Sequence, residues 1–162
     1  MFASACDVEA REIINMPTVK GCNLPDDLLY DVDNNIWFRE LENGNVKIGL
    51  TAVATAMAGQ FVAFTPKKVG KPIKAGKSCG TVESGKWVGP AKSAAGGEVV
   101  EINAELVANP KLANEDPYEK GWMVVLKPED WASVKPGLIA GSDVAAPYEA
   151  KMNADGFAGC AA

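Results

Sequence analysis

Short runs of apolar and β-branched residues recur along most of this chain, and turns rich in glycine, proline and lysine separate them. The step Asn43-Gly44 between two such runs is a strong β-hairpin signal, because these residue types tolerate the left-handed backbone of a tight turn. The predicted strands are residues 36–40, 45–49, 61–65, 78–83, 98–102 and 122–126, with turns at 66–72, 75–76, 89–90 and 96–97. This pattern favours a barrel or a sandwich over alternating strands and helices.

Helices are predicted to be few and small. An alanine-rich helix is expected over residues 51–58 with Thr51 as its N-cap, and Pro128 is well placed to open a closing helix. A further short helix is expected over residues 6–14, and the Gly- and Ala-rich residues 137–162 favour helix fragments followed by a loose tail. The fold class predicted from these patterns is mainly β with small helices.

The length and composition are typical of a single globular domain. The chain has 162 residues, of which 48% are hydrophobic and 23% charged, so it can bury a substantial core. No long low-complexity linker divides it. The predicted organisation is an N-terminal extension over residues 1–25, a main domain over residues 26–135 and a C-terminal extension over residues 136–162.

The absence of histidine from the sequence limits the chemistry that this chain can perform. Histidine is the commonest general acid or base and the commonest metal ligand, so Ser-His-Asp and Cys-His catalysis are excluded. The cysteines are too widely spaced for a CxxC metal or redox motif, and in a cytoplasmic protein we expect reduced, mostly structural thiols. They are Cys6, Cys22, Cys79 and Cys160. The chain is therefore predicted not to be an independent enzyme.

The net charge of −5 argues against nucleic acid as the main partner, because phosphate binding depends on clustered lysine and arginine. No segment approaches the roughly 20 apolar residues that span a bilayer, so no membrane association is expected. The N-terminus lacks a basic region and soon becomes acidic, unlike a secretory signal. We therefore expect a cytoplasmic protein.

Several motifs follow one another in a fixed order between residues 46 and 131. They are VKIGLT at residues 46–51, KVGKPIKAG at 68–76, VESGK at 82–86, GEVVEIN at 97–103, NP at 109–110, NEDPY at 114–118 and GW at 121–122. Gly97 lies eleven residues beyond Lys86. In this order and at this spacing, the motifs together resemble those of the glycine cleavage system H-protein family.

The resemblance implies a barrel-sandwich hybrid fold, like that of lipoyl and biotinyl carriers, in which a hairpin exposes one lysine. In this family a ligase or transferase joins lipoic acid to that lysine through an amide, and the matching residue here is Lys86. Gly85 can relax the backbone before it, and Glu83 resembles the acidic position that the attaching enzyme recognises. An ordinary solvated carboxylate is the alternative for Glu83. The implied function is that of a covalent carrier.

This sequence departs from the family pattern around the site. Asn35 stands where the family has a histidine, and Trp87 begins the segment after the lysine, which reads Trp-Val-Gly-Pro. Trp87 could pack under the lipoyl arm or anchor a partner, and packing into the barrel core is the alternative. A thiol near the arm could exchange with its dithiolane ring. Cys160 is a candidate for that role, with a structural thiol as the alternative.

These departures resemble the lipoate-binding proteins that work with heterodisulfide-reductase-like complexes in sulfur oxidation. The resemblance implies that the arm shuttles a sulfur-containing intermediate or electrons. The implied partners are a lipoate ligase or transferase, a heterodisulfide-reductase-like complex and a dihydrolipoamide dehydrogenase-type enzyme. We expect a monomer, because a shuttle must dissociate from one partner to reach the next.

Three other functions remain open. An ordinary glycine cleavage H-protein would carry an aminomethyl group between a decarboxylase and an aminomethyltransferase. A biotin carrier would share the fold, but its lysine normally lies between methionines, whereas Gly85 and Trp87 flank this one. A noncovalent module could have kept the fold and lost the modification.

Overall fold

The structure is a computed structural model that describes residues 18–160. The helix predicted over residues 6–14, and Cys6 with it, lie outside the described residues. The strands are β1 (Thr18–Val19), β2 (Cys22–Asn23), β3 (Leu29–Asp31), β4 (Ile36–Glu40), β5 (Val46–Leu50), β6 (Phe61–Pro66), β7 (Pro72–Ile73), β8 (Lys77–Ser84), β9 (Val88–Ser93), β10 (Gly97–Ile102), β11 (Val124–Pro128) and β12 (Ile139–Ala140). The α-helices are α1 (Ala52–Ala58), α2 (Ala104–Ala108), α3 (Leu112–Glu115), α4 (Trp131–Val134) and α5 (Ala145–Ala154).

Two antiparallel sheets form the body of the protein. The larger has seven strands in the order β12-β3-β4-β5-β11-β10-β7, and the smaller has three in the order β6-β8-β9. Side chains from both sheets share one buried cluster, which includes Phe38, Ile48, Phe64, Val82 and Leu126. This arrangement confirms the mainly β fold class with small helices and the barrel-sandwich hybrid architecture that the resemblance implied.

Strand β4 is buried on both faces, which explains its uninterrupted apolar sequence. Ile36 and Phe38 point into the cluster between the sheets, whereas Trp37 points into a second buried cluster. Because successive side chains alternate across a strand, both faces of β4 must be covered. Gly49 on β5 makes room for Trp37, since a Cβ there would lie 2.3 Å from the indole ring.

The hairpin and the first helix form as their sequences predict. Strands β4 and β5 pair from Glu40↔Val46 to Ile36↔Leu50, and Gly44 in the connecting turn has a φ of 88°. The Thr51 hydroxyl accepts a hydrogen bond from the Ala54 amide at 3.3 Å, which caps α1. Both features could be predicted because a hairpin turn and a helix N-cap depend on residues that are only a few positions apart in the sequence.

Three local predictions were wrong. Residues 89–90 lie inside β9 instead of forming a turn. Pro90 is tolerated there because β9 is an edge strand, where a missing N–H costs no ladder bond. Strand β11 begins two residues later than predicted. Pro128 ends that strand, and α4 starts only at Trp131.

The two ends of the described chain meet. Strands β1 and β2 and helix α5 enclose the second buried cluster, which includes Leu24, Tyr30 and Tyr148. A disulfide joins Cys22 to Cys160 across 138 residues of sequence, so the expectation of reduced thiols is wrong for this pair. The expected loose tail is also wrong, because the Cys160 amide donates to the Lys20 carbonyl at 2.9 Å. Residue spacing gave no sign that the ends pack together.

None of the helices in residues 18–160 has the length and apolar character needed to cross a bilayer.

Candidate functional site

A three-residue turn, residues 85–87, joins β8 to β9 at the end of the smaller sheet. The Ser84 amide donates to the Trp87 carbonyl at 2.7 Å and closes this turn. The buried Ser84 hydroxyl lies 3.4 Å from both the Lys86 amide and the Trp87 carbonyl. Sequence reasoning missed Ser84, although serine beside a turn often bonds the backbone in this way. The bonds hold the backbone at Lys86 in one conformation.

Lys86 is exposed at the tip of the turn. Its methylene stem lies beside the end of α1, because a Cβ built on Gly59 would be 3.5 Å from Lys86 Cε. Among residues 18–160, no carboxylate forms an ion pair with its ammonium group. The Lys86 amine is therefore exposed, has no ion-pair partner among the described residues, and lies on a turn whose backbone is hydrogen-bonded. An enzyme that acylates a lysine needs an amine that is accessible in this way.

The other predicted site residues surround the turn. Glu83 is exposed on the outer face of β8, directly opposite Val88. Gly85 is exposed, and a Cβ there would meet open space, so the turn geometry itself does not demand glycine. Trp87 is 45% exposed, which excludes the alternative that it packs into the barrel core. Its ring covers Gly89, where a Cβ would lie 2.4 Å away.

A cleft of about 600 Å³ opens beside the turn, and we call it the tip cleft. Its apolar wall includes Leu50, Met57 and Phe61, and its polar rim is the segment 33–35. Lys86 and Trp87 form the side nearest the turn. The tip cleft therefore offers apolar shelter next to the exposed amine.

Asn35 on the rim is held by the C-terminal helix. Its φ of 58° is left-handed, a conformation that asparagine tolerates. The Tyr148 hydroxyl on α5 lies 3.2 Å from Asn35 Oδ1 and 3.3 Å from Thr51 Oγ1. Burial raises the pKa of Tyr148, so it stays a neutral donor. The sequence offered no signal for this contact, which spans 113 residues.

Replacing Tyr148 with phenylalanine is expected to destabilise the protein by about 1 kcal/mol, because the substitution removes a buried hydrogen bond without opening a large cavity. Chemical denaturation of Tyr148→Phe against the wild type measures this loss. The matched variant is Asn35→Ala, and the double variant completes a cycle. Strict additivity of the two losses would contradict a direct Tyr148–Asn35 interaction.

A second cleft of about 770 Å³, the helix cleft, lies along another face of α1. Ala52, Thr55 and Ala56 line it together with Cys160. The Cys160 sulfur is 3.5 Å from the Ala52 carbonyl oxygen, so the disulfide sits beside the first turn of α1.

The remaining described cysteine, Cys79, is unpaired and fully buried between the sheets. Desolvation raises the pKa of its thiol to about 12, so it is a poor nucleophile near neutral pH. Within residues 18–160, no group of three or more cysteine or carboxylate side chains is arranged to hold a metal ion.

Two packed sheets with an exposed lysine on the hairpin between β8 and β9 are the arrangement expected of the lipoyl and biotinyl carrier class that the resemblance implied. The chain belongs to the glycine cleavage H-protein family, whose model matches residues 28–151. Proteins of this family are carriers rather than enzymes, and they bind lipoate covalently on a lysine.

The chain is similar in sequence to known proteins and in structure to a solved protein of the same family. Glycine cleavage system H protein 5 of Aquifex aeolicus is 52% identical over 76% of this chain and 86% of its own length. A probable glycine cleavage system H protein 2 of Sulfurisphaera tokodaii is 35% identical over 86% and 95%. The crystal structure of a glycine cleavage system H protein from Mycobacterium marinum has a TM-score of 0.67 and 30% identity, covering 82% of this chain and 98% of that one.

Proposed function

We propose that this protein is a lipoate carrier whose cofactor is joined to Lys86 Nζ by an amide bond. The observation that carries the proposal is the exposed amine on a turn closed by Ser84, at the position that matches the family motif. A lipoate ligase or transferase would acylate this amine, with Glu83 and Gly85 on its recognition surface. The attached dithiolane ring cycles between disulfide and dithiol, and so supplies the group- or electron-carrying chemistry.

The surroundings of Lys86 suit a long apolar arm. An acylated lysine has no charge, so its stem and the attached chain gain by covering apolar surface. The tip cleft supplies such surface through Leu50, Met57 and Phe61, and Trp87 adds an exposed aromatic face. In this proposal the residues of the tip cleft would shelter the ring between visits to partners.

We further propose that the arm carries a sulfur-containing intermediate or electrons within a heterodisulfide-reductase-like sulfur-oxidising system. Asn35 at the cleft rim lacks the acid–base capacity of the family's histidine, and Trp87 gives the tip a large apolar contact. One bacterium, Aquifex aeolicus, has three relatives of this chain, named glycine cleavage system H proteins 2, 3 and 5, and several carriers in one organism leave room for more than one role. A dihydrolipoamide dehydrogenase-type enzyme would exchange electrons with the arm of a monomeric carrier.

The second candidate is the role that the relatives' names describe, which is transport of an aminomethyl group within glycine cleavage. The family match over residues 28–151 favours it. In that role the oxidised dithiolane of the arm would accept the aminomethyl group in the decarboxylase, its S–S bond opening so that one sulfur bonds the aminomethyl carbon and the other becomes a thiol, and would deliver the group to an aminomethyltransferase. Glycine–bicarbonate exchange with a reconstituted decarboxylase separates the two candidates, since efficient exchange would overturn the sulfur-oxidation proposal.

The primary experiment is the intact mass of the protein from its native host, with peptide mapping over residues 77–98. A lipoyl increment on Lys86 supports the carrier function. A further sulfur adduct supports the sulfur-oxidation role, and an aminomethyl adduct supports glycine cleavage. An unmodified Lys86 in native protein would overturn the proposal and favour a noncovalent module.

Truncating Trp87 to alanine is expected to slow transfer to the partner about tenfold or more while lipoylation changes little, since exposed tryptophans often anchor interfaces. The assay follows oxidation of the reduced arm by dihydrolipoamide dehydrogenase alongside the rate of lipoyl attachment. Val62→Ala is the matched control, because Val62 is 57% exposed on the neighbouring strand β6. Equal losses in both assays would mean that Trp87 shapes the hairpin itself.

A further inference from the structure

We propose that the connection from β6 to β8, residues 67–77, is a docking surface for an acidic patch on a partner protein, at the end of the smaller sheet opposite Lys86. We call this segment the lysine loop. Its binding does not depend on lipoylation, whereas its role in holding a carrier rests on the proposed function. Five exposed lysines lie in these eleven residues, and they are Lys67, Lys68, Lys71, Lys74 and Lys77.

The charge of the lysine loop is opposite to the net charge of the chain. That net charge is −5, yet five of the 16 lysine and arginine residues and none of the 21 acidic residues fall between residues 60 and 82. Among residues 18–160, no carboxylate forms an ion pair with any of these five lysines. Glu98 and Glu129 border the loop on one side, where they line a cleft with Pro72. The loop is therefore a compact cationic surface on an acidic protein.

Backbone hydrogen bonds hold the five lysines close together. The Lys67 amide donates to the Cys79 carbonyl at 3.0 Å, so the loop closes between the end of β6 and the start of β8. Turns 68–71 and 74–77 are each closed by a backbone hydrogen bond of 3.0 Å between their first and last residues, all four of which are lysines. A surface that is formed before binding loses less conformational entropy when a partner docks on it.

Protection of a sheet edge is the alternative role for these lysines, because charged side chains on an edge strand prevent pairing between molecules. Strand β7 is an edge strand of the larger sheet, but it has only two residues and one of them is Pro72. A two-residue strand that contains proline offers little backbone for another strand to pair with. Five lysines therefore exceed what this edge requires, and an acidic partner accounts for them.

An exposed valine among the lysines favours a protein partner over other polyanions. Val69 is 57% exposed within turn 68–71. Protein interfaces combine an apolar centre with a polar rim, and complementary charges set their specificity and association rate. The acidic remainder of the chain repels a long nucleic acid or an extended anionic membrane surface, whereas a compact acidic patch on a protein meets only the loop.

The position of the lysine loop allows docking and arm chemistry to occur together. Strand β8 runs from the loop to the attachment turn, and its length is about 23 Å at roughly 3.3 Å per residue. A partner bound to the loop therefore leaves Lys86 and the tip cleft uncovered. Docking there holds the carrier at one end while the arm at the other end reaches an active site.

The first test measures binding of poly-L-glutamate to unlipoylated full-length protein by isothermal titration calorimetry at low ionic strength. The loop variant is Lys71→Glu/Lys74→Glu, and the matched control Lys111→Glu/Lys120→Glu makes the same change in net charge at two exposed lysines elsewhere. We expect the loop variant to bind about tenfold more weakly or worse, and the control to stay within about threefold of the wild type. Equal weakening in both variants, or no binding by the wild type, would overturn the docking surface.

The second test asks which kind of polyanion the loop prefers, and it uses only the wild type. Amide proton–nitrogen spectra are recorded during titration with poly-L-glutamate, with single-stranded DNA and with phosphatidylserine vesicles. We expect poly-L-glutamate to shift amide signals of residues 67–77 and to bind more tightly than the other two. Shifts centred on another part of the chain, or tighter binding of DNA or vesicles, would contradict an acidic protein partner.

The third test looks for the partner in the native host. A photo-crosslinking amino acid in place of Val69 should give adducts with partner peptides rich in aspartate and glutamate, and adding Lys71→Glu/Lys74→Glu should abolish them. The matched position is Val107 on α2, which is 43% exposed. The proposal fails if position 69 gives no adduct, if its adducts contain neutral or basic peptides, or if position 107 gives the same adducts.

The fourth test asks whether a partner on the loop leaves the arm free. NADH and dihydrolipoamide dehydrogenase reduce the arm of the holoprotein with and without saturating poly-L-glutamate. The rate should change less than about twofold, because the separation exceeds the Debye length of about 10 Å at 0.1 M salt. Inhibition of the wild type but not of Lys71→Glu/Lys74→Glu would contradict simultaneous docking and arm chemistry.

The outcomes distinguish this inference from the proposed function. An unmodified Lys86 in native protein would remove the carrier role and leave binding at the lysine loop intact. Conversely, failure of poly-L-glutamate to bind protein that carries lipoyl-Lys86 would overturn the docking surface and leave the carrier function standing.

Discussion

Replacing Lys86 with arginine is expected to abolish lipoyl attachment while leaving the fold intact. A guanidinium stays protonated near neutral pH and cannot take the place of the lysine amine in the amide bond. The side chain is exposed on a turn whose backbone is held by Ser84, so the free energy of unfolding should change by less than about 0.5 kcal/mol. Intact mass after incubation with the lipoylating enzyme measures attachment, and chemical denaturation measures stability.

Lys92→Arg is the matched control, because Lys92 is also an exposed lysine of the smaller sheet. This variant should be lipoylated to the same extent as the wild type. A lipoyl increment on the Lys86→Arg protein would place the cofactor elsewhere. If Lys86→Arg were unfolded, the lysine would be structural and the site assignment would be wrong.

Replacing Gly97 with alanine is expected to destabilise the protein by roughly 2–4 kcal/mol, one of the larger effects for a single methyl group. Gly97 opens β10 between two strands and pairs with Pro128 on β11 and Ile73 on β7. Its φ is 157°, and an added Cβ would lie 2.2 Å from the Lys127 carbonyl oxygen. Backbone atoms must shift to relieve this clash, so a side-chain rotation cannot absorb the cost.

Denaturant unfolding, monitored by circular dichroism, measures the change in Gly97→Ala. Gly85→Ala provides the matched control at the attachment turn, where the new methyl group meets open space, and its stability should stay within about 0.5 kcal/mol of the wild type. A Gly97→Ala protein as stable as this control would contradict the close strand packing. The close approach of β11 to Gly97 also explains why a glycine occupies the position eleven residues after Lys86.

Local features of the fold and site were predictable from the sequence because they depend on neighbours in the chain. The Asn43-Gly44 hairpin, the Thr51 cap and most strands follow from turn geometry and alternating burial. The motif around Lys86 resembles that of its family, and the lysine lies at an exposed turn. The turn predicted at Gly89-Pro90 was wrong because this dipeptide is common in turns but is also tolerated in an edge strand. Only the pairing of β9 with β8 at the edge of the smaller sheet decides between the two.

By itself, then, the sequence determined the mainly β fold class, the family and the position of the candidate lysine. Tertiary structure alone decided the Cys22–Cys160 disulfide, the Tyr148–Asn35 contact and the two clefts beside α1. Each joins segments far apart in the chain, across 138 residues for the disulfide and 113 for the Tyr148 contact. Such contacts carry no local signal, because they form only when burial of the second cluster brings the terminal segments against α1.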